Sequence, residues 1–157
     1  MNMRYATEND ICEISNILIR NFDEILIHYH SANVLSRFKA HNSIASLKSQ
    51  LTWKTIYIVE LEGKIIATGA FANFGTAGNP KYSVSNLYVL PDCHSNGVGK
   101  LLFQQLLSDA KENNASSFHV PSSKNAIEFY EKMGFGVDFS QPDIDDEITW
   151  MSMQIIN

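Results

Sequence analysis

The chain has 157 residues, 45% of them apolar and 18% charged, with a net charge of −5. That length suits one domain with a substantial core, taken as residues 1–157. No run of 18 apolar residues occurs, which excludes a transmembrane helix, and an acidic chain without a basic-aromatic patch argues against a nucleic-acid partner. The opening MNMRYATENDI lacks the apolar stretch of a secretory signal, and Cys12 and Cys93 stand outside any zinc-type cluster, so a reducing, cytoplasmic setting is expected. An acidic surface serves solubility, though it also suits a cationic amine.

Residues 2–5 predict a short strand. Thr7 and Asn9 then stand before Ile11, Ile14, Ile17 and Leu18, a helical apolar face with a capping residue in front. Residues 23–51 read as further helix and loop, with Ile25, Leu26, Val34, Leu35, Phe38 and Leu47 as core contacts. The β-branched and aromatic run 55–60, the turn at Glu62-Gly63 and the run 64–71 predict a hairpin. Residues 73–80 form a Gly/Asn/Pro loop before a strand over 82–89. A helix follows over 98–113, with Val98, Leu101, Leu102, Leu106 and Ala110 on one side and a stop at Asn113-Asn114. Residues 117–120 predict a short strand, and residues 125–133 a helix ended by Gly134. The last two strands fall at 135–139 and 147–155, where Met151, Met153 and Ile155 alternate toward one face. This order fits a mixed α/β or α+β sheet flanked by helices. No internal repeat or linker interrupts it.

The most informative stretch is LYVLPDCHSNGVGKLL, residues 87–102. A strand stops at Pro91, a polar loop with Gly97 and Gly99 follows, and a helix opens. Unpaired N–H groups and the positive end of the dipole make such a junction an anion site. A P-loop is excluded, because the glycines are too close and Leu101 follows Lys100. A Rossmann fingerprint is excluded, because position 102 is Leu102. A pyrophosphate loop of the form Gln/Arg-x-x-Gly-x-Gly/Ala fits His94-Ser95-Asn96-Gly97-Val98-Gly99 in spacing and in both glycines, with His94 at the first position.

That loop and the preceding strand resemble the acetyl-CoA motif of the GNAT N-acetyltransferase superfamily. Residues 125–135, NAIEFYEKMGF, resemble the superfamily's later helix, about 30 residues on. The resemblance implies a mostly antiparallel central sheet, splayed in the middle, with acetyl-CoA as co-substrate in the splay. It implies acetyl transfer to a primary amine of a small molecule or a protein, with residues 23–51 forming part of the acceptor wall. The backbone of Ser95, Asn96, Gly97, Val98 and Gly99 would ring the pyrophosphate, and Lys100 would add charge or remain a solvated helix residue. His94 either fills the Gln/Arg position or is an exposed loop histidine. The backbone N–H of Val89 would polarise the acetyl carbonyl, and Leu87 and Tyr88 would line the cofactor wall. Asn125 would touch the pantetheine arm, cap its helix, or do both.

Tyr130 is the candidate acid for the departing thiolate, because an ordinary phenol with a pKa of about 10 is protonated at neutral pH and has a proton to give. Its other reading is a packed helix tyrosine, as is expected for Phe129. Relatives often carry Glu near the positions of Ser83 and Ser85, whereas residues 82–90 hold no Asp or Glu. A water relayed by Ser83 or Ser85 remains possible for the amine's proton, as does a base among Asp23, Glu24, His28 and His30. His28-Tyr29-His30 places two imidazoles two apart with no third ligand, so no metal is expected. Direct attack in a ternary complex is expected. An acyl-enzyme on Cys93 lacks a His-acid pair. A non-catalytic CoA-binding sensor is the alternative class. Exposed C-terminal strands leave room for a homodimer.

Overall fold

The computed structural model describes residues 1–141 and 146–156. In chain order its elements are β1 (Asn2–Tyr5), α1 (Ile11–Glu24), α2 (Ala32–His41), α3 (Ile44–Gln50), β2 (Thr55–Leu61), β3 (Lys64–Asn73) and β4 (Tyr82–Val89). There follow α4 (Val98–Glu112), β5 (Ser117–Ser122), α5 (Ile127–Met133), β6 (Gly136–Val137) and β7 (Thr149–Gln154). The strands form one sheet in the order β1-β2-β3-β4-β5-β7-β6. Every pairing is antiparallel except β4 with β5. That parallel pair registers at Ser83 and His119 alone, so the sheet parts beyond it, and the expected central splay is present.

Helix α1 forms because its apolar residues recur at helical spacing. Ile11, Ile14, Ile17, Leu18 and Phe22 are all buried, each worth about 1.5–3 kcal/mol of transfer. Its start is tied down by the Asp10 carboxylate, which accepts the Thr7 N–H at 2.7 Å and a hydrogen bond from Arg4 of β1 at 2.8 Å. Ser31 and Ser43 cap α2 and α3 by accepting the N–H groups of Val34 and Ser46. Helices α1 and α4 both pack on β3 and β4, and β3 is buried along most of its length on both faces.

Strand β4 carries an extra residue. Thr68 of β3 pairs with Tyr88 and Ala70 with Ser85, so Asn86 and Leu87 together oppose Gly69. Asn86 takes φ 49°, a left-handed angle that asparagine tolerates. A Cβ on Gly69 would stand 2.9 Å from the Leu87 side chain, which is why glycine sits opposite the bulge.

Three local expectations need correction. Leu101 faces solvent, and Phe103 takes its place in the core beside Leu102 and Leu106. Helix α5 starts at Ile127, after a 3-10 turn over Lys124–Ala126, so Asn125 does not cap it; its Oδ1 accepts from the Ser123 hydroxyl instead. The strand expected over 135–139 shrinks to Gly136–Val137, because the Asp138 carboxylate takes the Ser140 N–H and turns the chain.

Candidate active site

Strand β4 ends in a 3-10 turn, Pro91–Cys93, and then a loop in which Ser95 and Gly97 take φ 70° and 79°. Gly97 precedes α4, whose first bond runs from the Leu101 N–H to the Gly97 carbonyl at 3.1 Å. The helix therefore leaves the N–H groups of Val98, Gly99 and Lys100 without intrahelical partners at its positive end. Helix α5 closes over this turn. A Cβ on Gly99 would stand 3.4 Å from the Phe129 ring, within ordinary van der Waals contact, so the two sequence motifs meet at this point. Beside them lies a cleft of about 1250 Å³, which runs through the splay to the α2–α3 wall.

Val89 sits at the mouth of the splay. The Leu90 N–H donates to the Ile66 carbonyl of β3 at 2.8 Å. Alternation along an antiparallel pair then turns the N–H and carbonyl of Val89 away from β3. Its carbonyl accepts from Asn21 Nδ2 of α1 at 2.9 Å and lies 2.8 Å from His94 Nε2, which must be the donor there. His94 thus folds back and ties the glycine loop to the strand end. Asn21 is buried and also donates to the Ile17 carbonyl at 2.9 Å, so the strand end is fixed by a side chain from α1.

Leu87, Tyr88, Val89, His94, Ser95, Gly97, Val98, Gly99, Lys100, Asn125 and Tyr130 all line the cleft, as does Ser85. Asn96 is exposed and lies outside the lining. Tyr88 and Tyr130 both line the cleft. Desolvation pushes the Tyr88 hydroxyl up to about 12, against the neighbouring Ser123 hydroxyl, which lowers it. Burial pushes Tyr130 further above the ordinary 10, with a smaller contribution from Tyr88. Among the described residues no group hydrogen-bonds the Tyr130 hydroxyl. Its ring packs edge-on against Phe129 at 5.1 Å and Phe135 at 5.5 Å.

The candidate bases separate. Ser83 is fully buried and donates to the Lys81 carbonyl at 2.9 Å, away from the cleft. Asp23 pairs with Lys39 at 2.6 Å and Glu24 with Arg20 at 2.7 Å, both on the surface. His28 is exposed. His30 is buried, with Nδ1 3.2 Å from Glu147 Oε1 and Nε2 accepting the Lys124 N–H at 3.1 Å. None of these residues lines the cleft. Ser85 does, and its Oγ accepts from Lys54 Nζ at 2.8 Å.

Lys54 is absent from the expected site residues. It leaves the chain just before β2, and its ammonium also donates to Gln50 Oε1 at 2.9 Å. Burial lowers its pKa to about 8. Asn86, at the bulge, donates to Asn42 Oδ1 at 2.9 Å and Gln50 Oε1 at 3.2 Å, which ties β4 to the α2–α3 wall. Trp53, Phe74 and Trp150 complete this end. No spacing or motif marks these residues, because they converge from three separate segments. Among the described lining residues Arg37, Lys54, Lys100 and Lys132 stand against Glu128 and Asp146, so the cleft is cationic in an acidic chain.

This geometry has counterparts. The family model for the acetyltransferase (GNAT) domain matches residues 25–157. The chain belongs to the GNAT acetyltransferase family. The PaiA N-acetyltransferase of Thermoplasma acidophilum, solved in complex with coenzyme A, is 15% identical over 98% of each chain with a TM-score of 0.81. A GCN5-related N-acetyltransferase from Rhodopseudomonas palustris is 21% identical over 98% of this chain and 95% of that one, also with a TM-score of 0.81. An acetyltransferase from Clostridium acetobutylicum, solved with acetyl-CoA, is 25% identical over 92% and 95%, with a TM-score of 0.68. Among curated proteins no match is found. The GNAT fold accounts for the open, mostly antiparallel sheet and for the splay between β4 and β5. No described helix is long and apolar enough to cross a membrane.

Proposed function

We propose that this GNAT chain is an acetyl-CoA-dependent N-acetyltransferase that moves an acetyl group to a primary amine by direct transfer in a ternary complex. The observation that carries this reading is Val89 at the splay, its N–H turned away from β3, with a helix N-terminus on one side and the cleft running on to the α2–α3 wall on the other. Val98, Gly99 and Lys100 offer backbone donors to a pyrophosphate, and Lys100 and Lys132 add charge near it. Leu87, Tyr88 and Asn125 flank the pantetheine arm. The Val89 N–H polarises the acetyl carbonyl where negative charge develops. Tyr130, held neutral by burial, donates a hydrogen bond to the departing thiolate and passes it a proton; a phenol is a weaker acid than a thiol, so this step runs uphill and is completed when the proton released by the amine returns to the tyrosinate. The amine's proton leaves through water held at Ser85. The similar PaiA N-acetyltransferase, solved in complex with coenzyme A, supports the choice of cofactor.

A second reading, a CoA-binding sensor without turnover, is favoured by the lack of Asp or Glu along β4. One experiment separates the two. Calorimetric titration with acetyl-CoA is run on the wild type and on Gly97→Glu, followed by thiol release with a panel of amines. Micromolar binding lost in the variant, with CoA released only when an amine is present, is expected. Binding without turnover establishes the sensor, and no wild-type binding refutes both.

A further inference from the structure

The acceptor end of the cleft holds a cation that acetyl transfer does not use. Lys54 Nζ lies 4.9 Å from the Trp53 ring centroid and 5.3 Å from that of Phe74. Two of its three N–H donors go to neutral oxygens, Gln50 Oε1 and Ser85 Oγ. No carboxylate among the described residues neutralises it. A cation drawn out of water with a donor to spare is costly until an anion completes its shell. Its lowered pKa reports that cost, and at about 8 the group is still mostly charged at pH 7.

The surroundings are aromatic and open. Trp53 is 50% exposed and Phe74 38% exposed, unusual values for large rings lining a cleft. Phe74 meets Trp53 edge-on at 5.8 Å and Trp150 edge-on at 6.1 Å, which makes a continuous apolar floor beside the ammonium.

We infer that the acetyl acceptor is a small primary amine that also carries a carboxylate, its carboxylate bound by Lys54 and its apolar body seated on Trp53, Phe74 and Trp150. The identity of the acceptor rests on the acetyl-transfer reading above; the anion site does not. A polyamine or a lysine side chain brings only positive charge to this end and is repelled by Lys54. A carboxylate takes the spare donor as a charge-assisted hydrogen bond, and an apolar body displaces water from the exposed rings.

The test compares phenylalanine, tryptophan and β-alanine with their carboxamides, and spermidine with all of them, by kcat/KM for CoA release. The wild type is expected to prefer each acid over its amide by tenfold or more, mainly through KM, and to prefer the aromatic acids over β-alanine. Lys54→Met is expected to bring the acid-to-amide ratio close to one, and Lys54→Arg to restore it in part. A wild-type ratio near one, a ratio unchanged in Lys54→Met, or spermidine as the best acceptor overturns the proposal. A second readout needs no turnover. Phenylacetate, which has the anion and the ring but no amine, is titrated against tryptophan fluorescence of the wild type. A saturable change that Lys54→Met abolishes supports the anion site even if acetyl-CoA does not bind. Acetyl-CoA binding without any phenylacetate response removes the anion site and leaves acetyl transfer standing.

Discussion

Tyr130→Phe removes one oxygen from the site and leaves the ring that packs against Phe129 and Phe135. The hydroxyl has no hydrogen-bond partner among the described residues, so the fold loses none. The stability change should stay below about 0.5 kcal/mol, or about 2 °C in melting temperature for a chain of this size. The chemistry is a different matter. A positioned general acid is worth about 10²–10⁴-fold, so the barrier should rise by about 2.7–5.4 kcal/mol at about 1.36 kcal/mol per decade. Because the loss falls in the transition state, kcat and kcat/KM for the amine should drop together while acetyl-CoA affinity holds. Burial keeps the phenol above its ordinary 10, so any basic limb of the pH profile below that value belongs to another group and should persist in the variant. The assay is CoA release at saturating acetyl-CoA from pH 6 to 9, with calorimetry and a thermal melt alongside. Turnover within about threefold of the wild type would refute the assignment. A drop matched by a melt shifted by ten degrees would trace the effect to folding.

Asn21→Leu removes the side chain that holds the Val89 carbonyl, leaving His94 as that group's remaining partner. A loss of about 1–3 kcal/mol in chemical denaturation is expected, with a lower kcat because the end of β4 shifts. His30 is kept neutral by burial, its pKa lowered below 6.5 despite Glu147. The unfolded chain therefore takes up the proton first, so the stability His30 contributes is present above about pH 6.5 and is lost as pH falls through its lowered value. Melts from pH 7.5 to 5 should show this decline, and His30→Gln should flatten it. Lys54 shows the same depression on a different scale. Below about pH 8 its buried charge costs stability, and that cost fades as pH rises toward 10.5. Lys54→Met should raise the melting temperature at pH 7, with the gain shrinking at higher pH. Gly97→Ala places a side chain at φ 79° with open space around it, so about 1–2 kcal/mol of backbone strain, without a clash, should appear in the melt.

The elements that could be read from sequence are those whose causes are local. Apolar spacing from Ile11 to Phe22 dictates a helix wherever it packs, and Gly134 ends α5 because its φ of 109° suits no other residue as well. The glycine loop was legible for the same reason, since the positive end of a helix after a tight turn is an anion site in any fold. Leu101 falls outside the core, and Asn125 does not cap α5, because periodicity and capping chemistry leave a residue's partner open: Phe103 competes for the same core, and Ser123 holds the asparagine side chain. Contacts between distant segments carry no local signal. The sequence alone therefore determined the element order and the phosphate-type loop. Only the tertiary structure decided that β4 bulges at Asn86 and parts from β5, that Asn21 and His94 share the Val89 carbonyl, and that Lys54 stands beside Ser85. Each of these depends on two segments meeting in space, and burial and charge take effect only once they have met.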